Sequence, residues 1–145
     1  MTETDLPEAR IRQRLMDRIA SEGVIPVSAF MAEALFDPVA GFYATKDPIG
    51  AGSDFITAPE ISQMFGEVIG LWLAQAWIDM GSPARVQLIE LGPGKGTLMH
   101  DILRTARVVP GFVNAMEVTL VEASPALKMV QGETLAESPV QIRWA

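Results

Sequence analysis

The sequence predicts an α/β fold with a parallel sheet, incomplete in this chain, behind an N-terminal helical region. Three observations predict it. Val86-Gln87-Leu88-Ile89-Glu90-Leu91 reads as a buried strand with an acidic residue at its end. It runs directly into Gly92-Pro93-Gly94-Lys95-Gly96, and a helical pattern starts at Thr97. Two more strand-like runs, Met116 to Val121 and Val140 to Trp144, alternate with helical patterns. A strand, a glycine turn and a helix in that order describe a Rossmann-like nucleotide site, where glycines let backbone approach a ligand at the strand's carboxyl end.

The elements follow in order. Asp5 with Glu8 marks a helix start, and Ile11, Leu15, Met16 and Ile19 form its expected buried stripe. Arg10, Arg12, Arg14 and Arg18 then fall mainly on the solvated side. Ser28 caps a short second helix with Phe30, Met31, Ala34 and Leu35 inward, and Asp37-Pro38 stops it. From Asp37 to Thr57 no period emerges, and the composition suits an ordered loop covering a pocket. Thr57-Ala58-Pro59-Glu60 opens the longest helix, with Ile61, Met64, Phe65, Val68, Ile69, Trp72, Ala76, Trp77 and Met80 as a wide apolar face. Gly81-Ser82-Pro83 breaks it. The helix after the glycine turn buries Leu98, Met99, Ile102, Leu103 and Ala106, and leaves His100, the only histidine, on its polar side. Ser124-Pro125 caps the last helix, with Leu127, Val130 and Leu135 inward.

Spacing within the glycine turn separates possible ligands. A dinucleotide fingerprint is G-x-G-x-x-G, and here the third glycine comes one position early. A phosphate-binding Walker loop is excluded, because Ile89 stands where its first glycine belongs and Gly96 where its Ser or Thr belongs. Glu90 narrows the choice. A carboxylate about 5 Å from a pyrophosphate would cost roughly 3 kcal/mol per charge pair at an effective dielectric near 20. The same carboxylate favours a ligand that carries positive charge and no phosphate. S-adenosylmethionine, with sulfonium and ammonium groups, is such a ligand. The plainer alternative is a turn that binds nothing.

Glu122 is the second chemical signal. It follows the second strand, where an acid that binds ribose hydroxyls belongs. A carboxylate accepts two hydrogen bonds at once, so it can hold a vicinal diol.

Bulk properties bound the partners. With 145 residues the chain is one domain by length. A net charge of −7 argues against a nucleic-acid partner. The absence of cysteine excludes disulfide and thiolate chemistry, and no metal is expected. No apolar run is long enough to insert in a membrane, and neither a signal nor a transit peptide is evident. Acids interleaved with the arginines of the first helix make a cytoplasmic, bacterial protein the plainer reading. Hydrophobic residues reach 49%, an excess that an oligomer interface, such as a homodimer, or a missing partner segment would explain.

Gly41-Phe42-Tyr43, the run from Asp54 to Glu67 (Asp-Phe-Ile-Thr-Ala-Pro-Glu-Ile-Ser-Gln-Met-Phe-Gly-Glu), and the run from Glu90 to Leu98 together resemble the MidA family. Those proteins are S-adenosylmethionine-dependent methyltransferases of the Rossmann-like class I fold, and include a mitochondrial complex I assembly enzyme. The resemblance implies a methyltransferase acting on a protein, with arginine as acceptor and assembly of a respiratory complex as context. It places Glu90, Gly92, Pro93, Gly94 and Gly96 at the methionine end of S-adenosylmethionine and Glu122 at its ribose. Thr57, within the run covering the pocket, is a further cofactor contact. No catalytic residue is identified, with Asp54, Glu60 and Glu67 the carboxylates to test. Ser53 stands where the family often has Gly, and Lys95 where Arg is common. The family also continues well past a third strand, so the expectation is the N-terminal part of a longer protein. Residues 1–57 would be N-terminal helices with a pocket-covering loop, and 58–145 the first part of the cofactor domain. Two rival readings are a non-catalytic assembly module of the same fold and, against the glycine spacing, an NAD- or FAD-dependent oxidoreductase.

Overall fold

The structure is a computed structural model, and it describes residues 7–45 and 56–145. The chain divides into two compact units, Met1–Pro48 and Ile49–Ala145. Asp5 and residues 46–55, with Ser53, Asp54 and Phe55, lie outside the described residues.

The first unit holds α1 (Pro7–Glu22), α2 (Val27–Phe36) and the short α3 (Phe42–Thr45). The stripe expected on α1 is mostly not a core: Ile11 is buried and Leu15 half-buried, but Met16 and Ile19 are exposed. Charge ties α1 to α2 instead. Arg14 donates to Glu33 at 3.0 Å and also to Asp37, while its side chain stays on the solvated side, as expected for these arginines. Asp37 is buried just past α2 and accepts from the backbone N–H groups of Val39 (3.0 Å) and Ala40 (2.8 Å). The Arg14 guanidinium, followed by those two N–H groups, holds the Asp37 carboxyl below the usual carboxylate range. Two expectations for α2 need correcting. Pro26, not Ser28, occupies its N-cap, and Phe30 and Met31 are exposed. The helix does stop at Asp37. Within the stretch that shows no period, α3 forms around Tyr43, whose ring stacks 5.8 Å from Phe36.

The second unit runs α4 (Ala58–Ile61), α5 (Gln63–Asp79), β1 (Val86–Leu91), α6 (Thr97–Ala106), α7 (Phe112–Ala115), β2 (Met116–Val121), α8 (Pro125–Thr134) and β3 (Ile142–Trp144). The sheet order is β1-β2-β3 and both pairs are parallel, with Val86 opposite Met116 and Val118 opposite Ile142. This is the partial Rossmann-like sheet that the sequence predicts. One detail differs. β1 is not buried throughout but alternates, with Ile89 and Leu91 exposed, because successive side chains point to opposite faces and only the face of Val86 and Leu88 packs on the core among the described residues.

The longest expected helix is two helices. Ser62 is extended, ends α4, and caps α5 by accepting from the Met64 N–H at 3.3 Å, whereas Thr57 makes no side-chain cap. The buried face of α5 also differs from the expected Met and Trp face. Gly66, Gly70, Ala74 and Trp77 are buried, while Ile61, Met64, Phe65, Val68, Trp72 and Met80 are exposed. The reason is close approach to α6. A Cβ on Gly66 would lie 2.5 Å from Asp101 Cβ, and one on Gly70 3.1 Å from the Ile102 carbonyl oxygen. Only small residues let the two backbones come so near.

Trp77 carries the crossing into the core. Its ring lies 5.3 Å from that of Phe112, and its indole N–H donates to the Pro83 carbonyl at 2.9 Å. Met99, Leu103, Ala106, Val118 and Leu120 belong to the same buried cluster.

Two substitutions test the packing. Gly66→Ala gains helix propensity but forces Asp101 aside, so it should lower stability by about 1–2 kcal/mol in denaturant unfolding. Gly132→Ala on α8, where nothing lies within 4 Å of an added Cβ, should raise stability by about 0.5–1 kcal/mol. Equal effects at the two sites would refute the close crossing.

Candidate functional site

The Gly92–Gly96 turn joins β1 to α6 in a conformation that side chains resist. Gly92, Gly94 and Gly96 have φ of 65°, 56° and 85°, all in the left-handed region. Gly92 N–H continues the sheet by donating to the Val121 carbonyl (2.9 Å), and Gly96 N–H donates to the Pro93 carbonyl (2.8 Å). The turn thus folds back on itself at the carboxyl end of the sheet and opens α6, with Gly96 as its N-cap.

Beside the turn lies a cavity of about 290 Å³. Thr57, Pro59, Glu60, Glu90, Gly92 and Gly94 are among the residues that line it, with Pro93, Lys95 and Thr97. The size is near the lower end for small-molecule pockets, roughly 300–1,000 Å³. The outer wall is tethered, since the Thr97 hydroxyl donates to Glu60 Oε1 at 2.5 Å, joining α4 to the first turn of α6. Five of the seven expected cofactor residues, Thr57, Glu90, Gly92, Pro93 and Gly94, therefore share one cavity. Gly96 and Glu122 do not line it.

Glu90 is the unusual group. Its Oε2 is buried and has no hydrogen-bond partner among the described residues. Burial pushes its carboxyl from the ordinary 4.5 up to about 7. A buried acceptor without a donor costs about 1–3 kcal/mol, so a donor from a ligand would meet an open demand.

Glu122 is the opposite case. It is buried at the end of β2, with Oε1 accepting from the Ser124 N–H (2.8 Å) and Oε2 from Gln131 Nε2 (3.0 Å). Gln131, on α8, also donates to the Gly94 carbonyl (2.8 Å) and accepts from the Trp144 indole N–H (2.9 Å). Periodicity gave no sign of this residue. An amide at an inward position of α8, among Leu127, Val130 and Leu135, was the signal that was there to read.

Of the carboxylates set aside for test, Glu67 is engaged in helix pairing. It accepts from Gln63 (3.0 Å) and Arg104 (2.9 Å), which together hold its carboxyl below the usual range. Glu60 is in the cavity wall, and Asp54 is outside the described residues. A second cleft of about 170 Å³, around His100, Arg104, Arg107 and Glu137, shares none of the cavity's residues. His100 is exposed, as its polar position implied. Among the described residues no cluster of His, Asp and Glu is gathered as a metal site, and no helix is long and apolar enough to cross a membrane.

Comparison with known proteins gives the family. The profile of an S-adenosyl-L-methionine-dependent methyltransferase family matches residues 68–145. The chain belongs to that family. It is 44% identical over 133 residues to the protein arginine methyltransferase NDUFAF7, mitochondrial, of Danio rerio, covering 90% of this chain and 32% of the relative. The human protein of that name is 40% identical over 138 residues, covering 94% and 31%. The chain thus spans about a third of the length of these relatives. A crystal structure of a COG1565 superfamily member from Burkholderia thailandensis, bound to S-adenosyl-homocysteine, superimposes with a TM-score of 0.78 at 29% identity. It covers 100% of this chain and 40% of that one.

The sign of the pH effect at Glu90 is fixed. Its folded pKa is raised, so the folded protein keeps a proton that the unfolded chain releases. Stability should fall as pH rises from 4.5 through about 7. Glu90→Gln should flatten that slope and raise stability at pH 8 by roughly 2–3 kcal/mol in urea titrations. A variant less stable than wild type at pH 8 would contradict the unpartnered burial.

Proposed function

We propose that this chain forms the S-adenosylmethionine-binding part of a methyltransferase that modifies arginine side chains of a protein. The observation that carries the proposal is the buried, unpartnered Glu90 oxygen beside a left-handed glycine turn. A cation with N–H donors satisfies such an oxygen, whereas a pyrophosphate would be repelled. Gly92, Pro93 and Gly94 would face the methionine end, Thr57 the same cavity, and Gly96 would hold the turn's exit. Glu122 would meet the ribose with the lone pair that each of its oxygens retains. S-adenosyl-homocysteine in the Burkholderia thailandensis relative supports the cofactor. The names of the mitochondrial relatives support arginine as acceptor.

Methyl transfer from a sulfonium is a displacement in line with the leaving sulfur, and its acceleration comes chiefly from holding donor and acceptor aligned. A guanidinium acceptor needs a carboxylate to orient it, and Glu60 stands in the cavity wall. We place residues 58–145 as the first part of the cofactor domain and 1–57 as a helical region before it. Assembly of a respiratory complex is the proposed context. The relatives are mitochondrial by name, which lends nothing to a cytoplasmic location. That location rests on the acid-interleaved first helix alone.

Calorimetric titration tests the cofactor. S-adenosylhomocysteine should bind, Gly94→Val should abolish binding because a β-branched residue resists the φ of 56° that the turn requires, and NAD should not bind. The ligand's ammonium favours ionised Glu90, so affinity should rise roughly five- to tenfold from pH 6 to pH 8, with proton release on binding. Preference for NAD, or affinity that falls over that range, would reject the reading. For the acceptor, label from S-adenosylmethionine should be recovered as methylarginine after hydrolysis of the methylated protein. Recovery as methyl-lysine or methyl ester would reject arginine.

A further inference from the structure

The amide of Gln131 is wholly buried yet lines neither cleft. It nonetheless touches three chain segments that each follow or end a different strand. Its Nε2 reaches the Gly94 carbonyl in the turn after β1 and Glu122 after β2, and its Oε1 receives the indole N–H of Trp144 at the end of β3. Its Cγ also backs the turn from below, 3.5 Å from where a Cβ on Gly96 would be.

Only an amide fits this set. Gly94 and Glu122 both present acceptors and need the NH2 end, while Trp144 presents a donor and needs the carbonyl. Turning the amide over would set oxygen against a carbonyl and a carboxylate, so its orientation is fixed by all three partners. A leucine or methionine would fill the same space without burying a polar group, and packing alone therefore does not call for glutamine here. What the amide adds is a rigid link. The bond to Glu122 is charge-assisted and sets the rotation of that carboxylate, so the lone pairs left free point one way. The bond to Gly94 sets the height of the glycine turn.

We infer that Gln131 is a positioning residue for the cofactor, coupling the glycine turn to the Glu122 carboxylate without touching the ligand. The inference rests on the reading of Glu122 as the ribose ligand. Its value to binding is preorganisation, since both contacts stand ready before the cofactor arrives.

A double-mutant cycle on the protein, read by calorimetric titration with S-adenosylhomocysteine, tests it. Gln131→Leu should weaken binding roughly tenfold, the loss expected for one charge-assisted hydrogen bond. Glu122→Ala should weaken it at least as much. If Gln131 works through Glu122, the double variant should bind within about twofold of the weaker single variant, because coupled residues are not additive. Wild-type affinity in Gln131→Leu, or losses that multiply in full, would overturn the positioning role while leaving Glu122 as ligand. Wild-type affinity in Glu122→Ala would instead reject the ribose reading itself, and the inference with it. Should Gln131→Leu fail to fold, Trp144→Phe removes the indole hydrogen bond at the cost of some ring volume on a partly exposed side chain. It should weaken binding about threefold, and only while Glu122 is present. Full affinity in that variant would then overturn the inference.

Discussion

The glycine turn can stand where it does only because α6 sits low against α5. A helix that starts at the end of a strand has its direction set by what it packs on, and here that surface is Gly66, Gly70 and Ala74, spaced four apart on α5. With Cβ atoms at the two glycines the axes would have to move apart. The N-terminus of α6 would move with them, and with it Gly96, Thr97 and the bond to Glu60. Trp77 and Phe112 then fix the far end of the same crossing. The cavity is thus a by-product of helix packing as much as of the loop that borders it.

Two glutamates end adjacent strands and are held in contrasting ways. Glu122 has a donor on each oxygen and a neighbour that dictates its rotation. Glu90 has a buried oxygen that nothing described satisfies. On the proposed reading the first would meet a neutral diol, for which geometry matters more than charge. The second is left short of a partner that a cation would supply. Glu90 lies opposite Leu120 inside the sheet and Glu122 just past it, and that offset gives the two carboxylates their different surroundings.

The part of the molecule built from strong local rules could be read before the structure was known. β2 spans the run read for it, α8 starts at the Ser124 cap, and Met99, Ile102, Leu103 and Ala106 of α6 are inward. Glu90 and the turn were legible because glycine spacing and charge carry chemical meaning without tertiary context. α5 was not. Of its large apolar residues only Trp77 is buried as expected, and the rest of the buried stripe is glycine and alanine, which a hydrophobicity count passes over. The break at Ser62 was hidden by a capping pattern one turn too early. α1 misled for another reason. An arginine reaching Asp37 from a neighbouring helix depends on a pairing 23 residues apart, which no local pattern encodes. Gln131 combines both obstacles, being polar where apolar was expected and meaningful only through three distant partners.

β1 has a consequence for how this chain behaves in solution. Val86 to Leu91 is six residues of strand-forming character without proline, and among the described residues it lies at the sheet edge with Ile89 and Leu91 exposed. Such segments recruit copies of themselves through unpaired backbone groups unless a charge acts as gatekeeper. The only charge within this one is Glu90, and that side chain lines the cavity with one oxygen buried. No other charge in the strand stands guard over the edge, so what keeps β1 from pairing with a copy of itself has to come from a neighbouring segment laid along it.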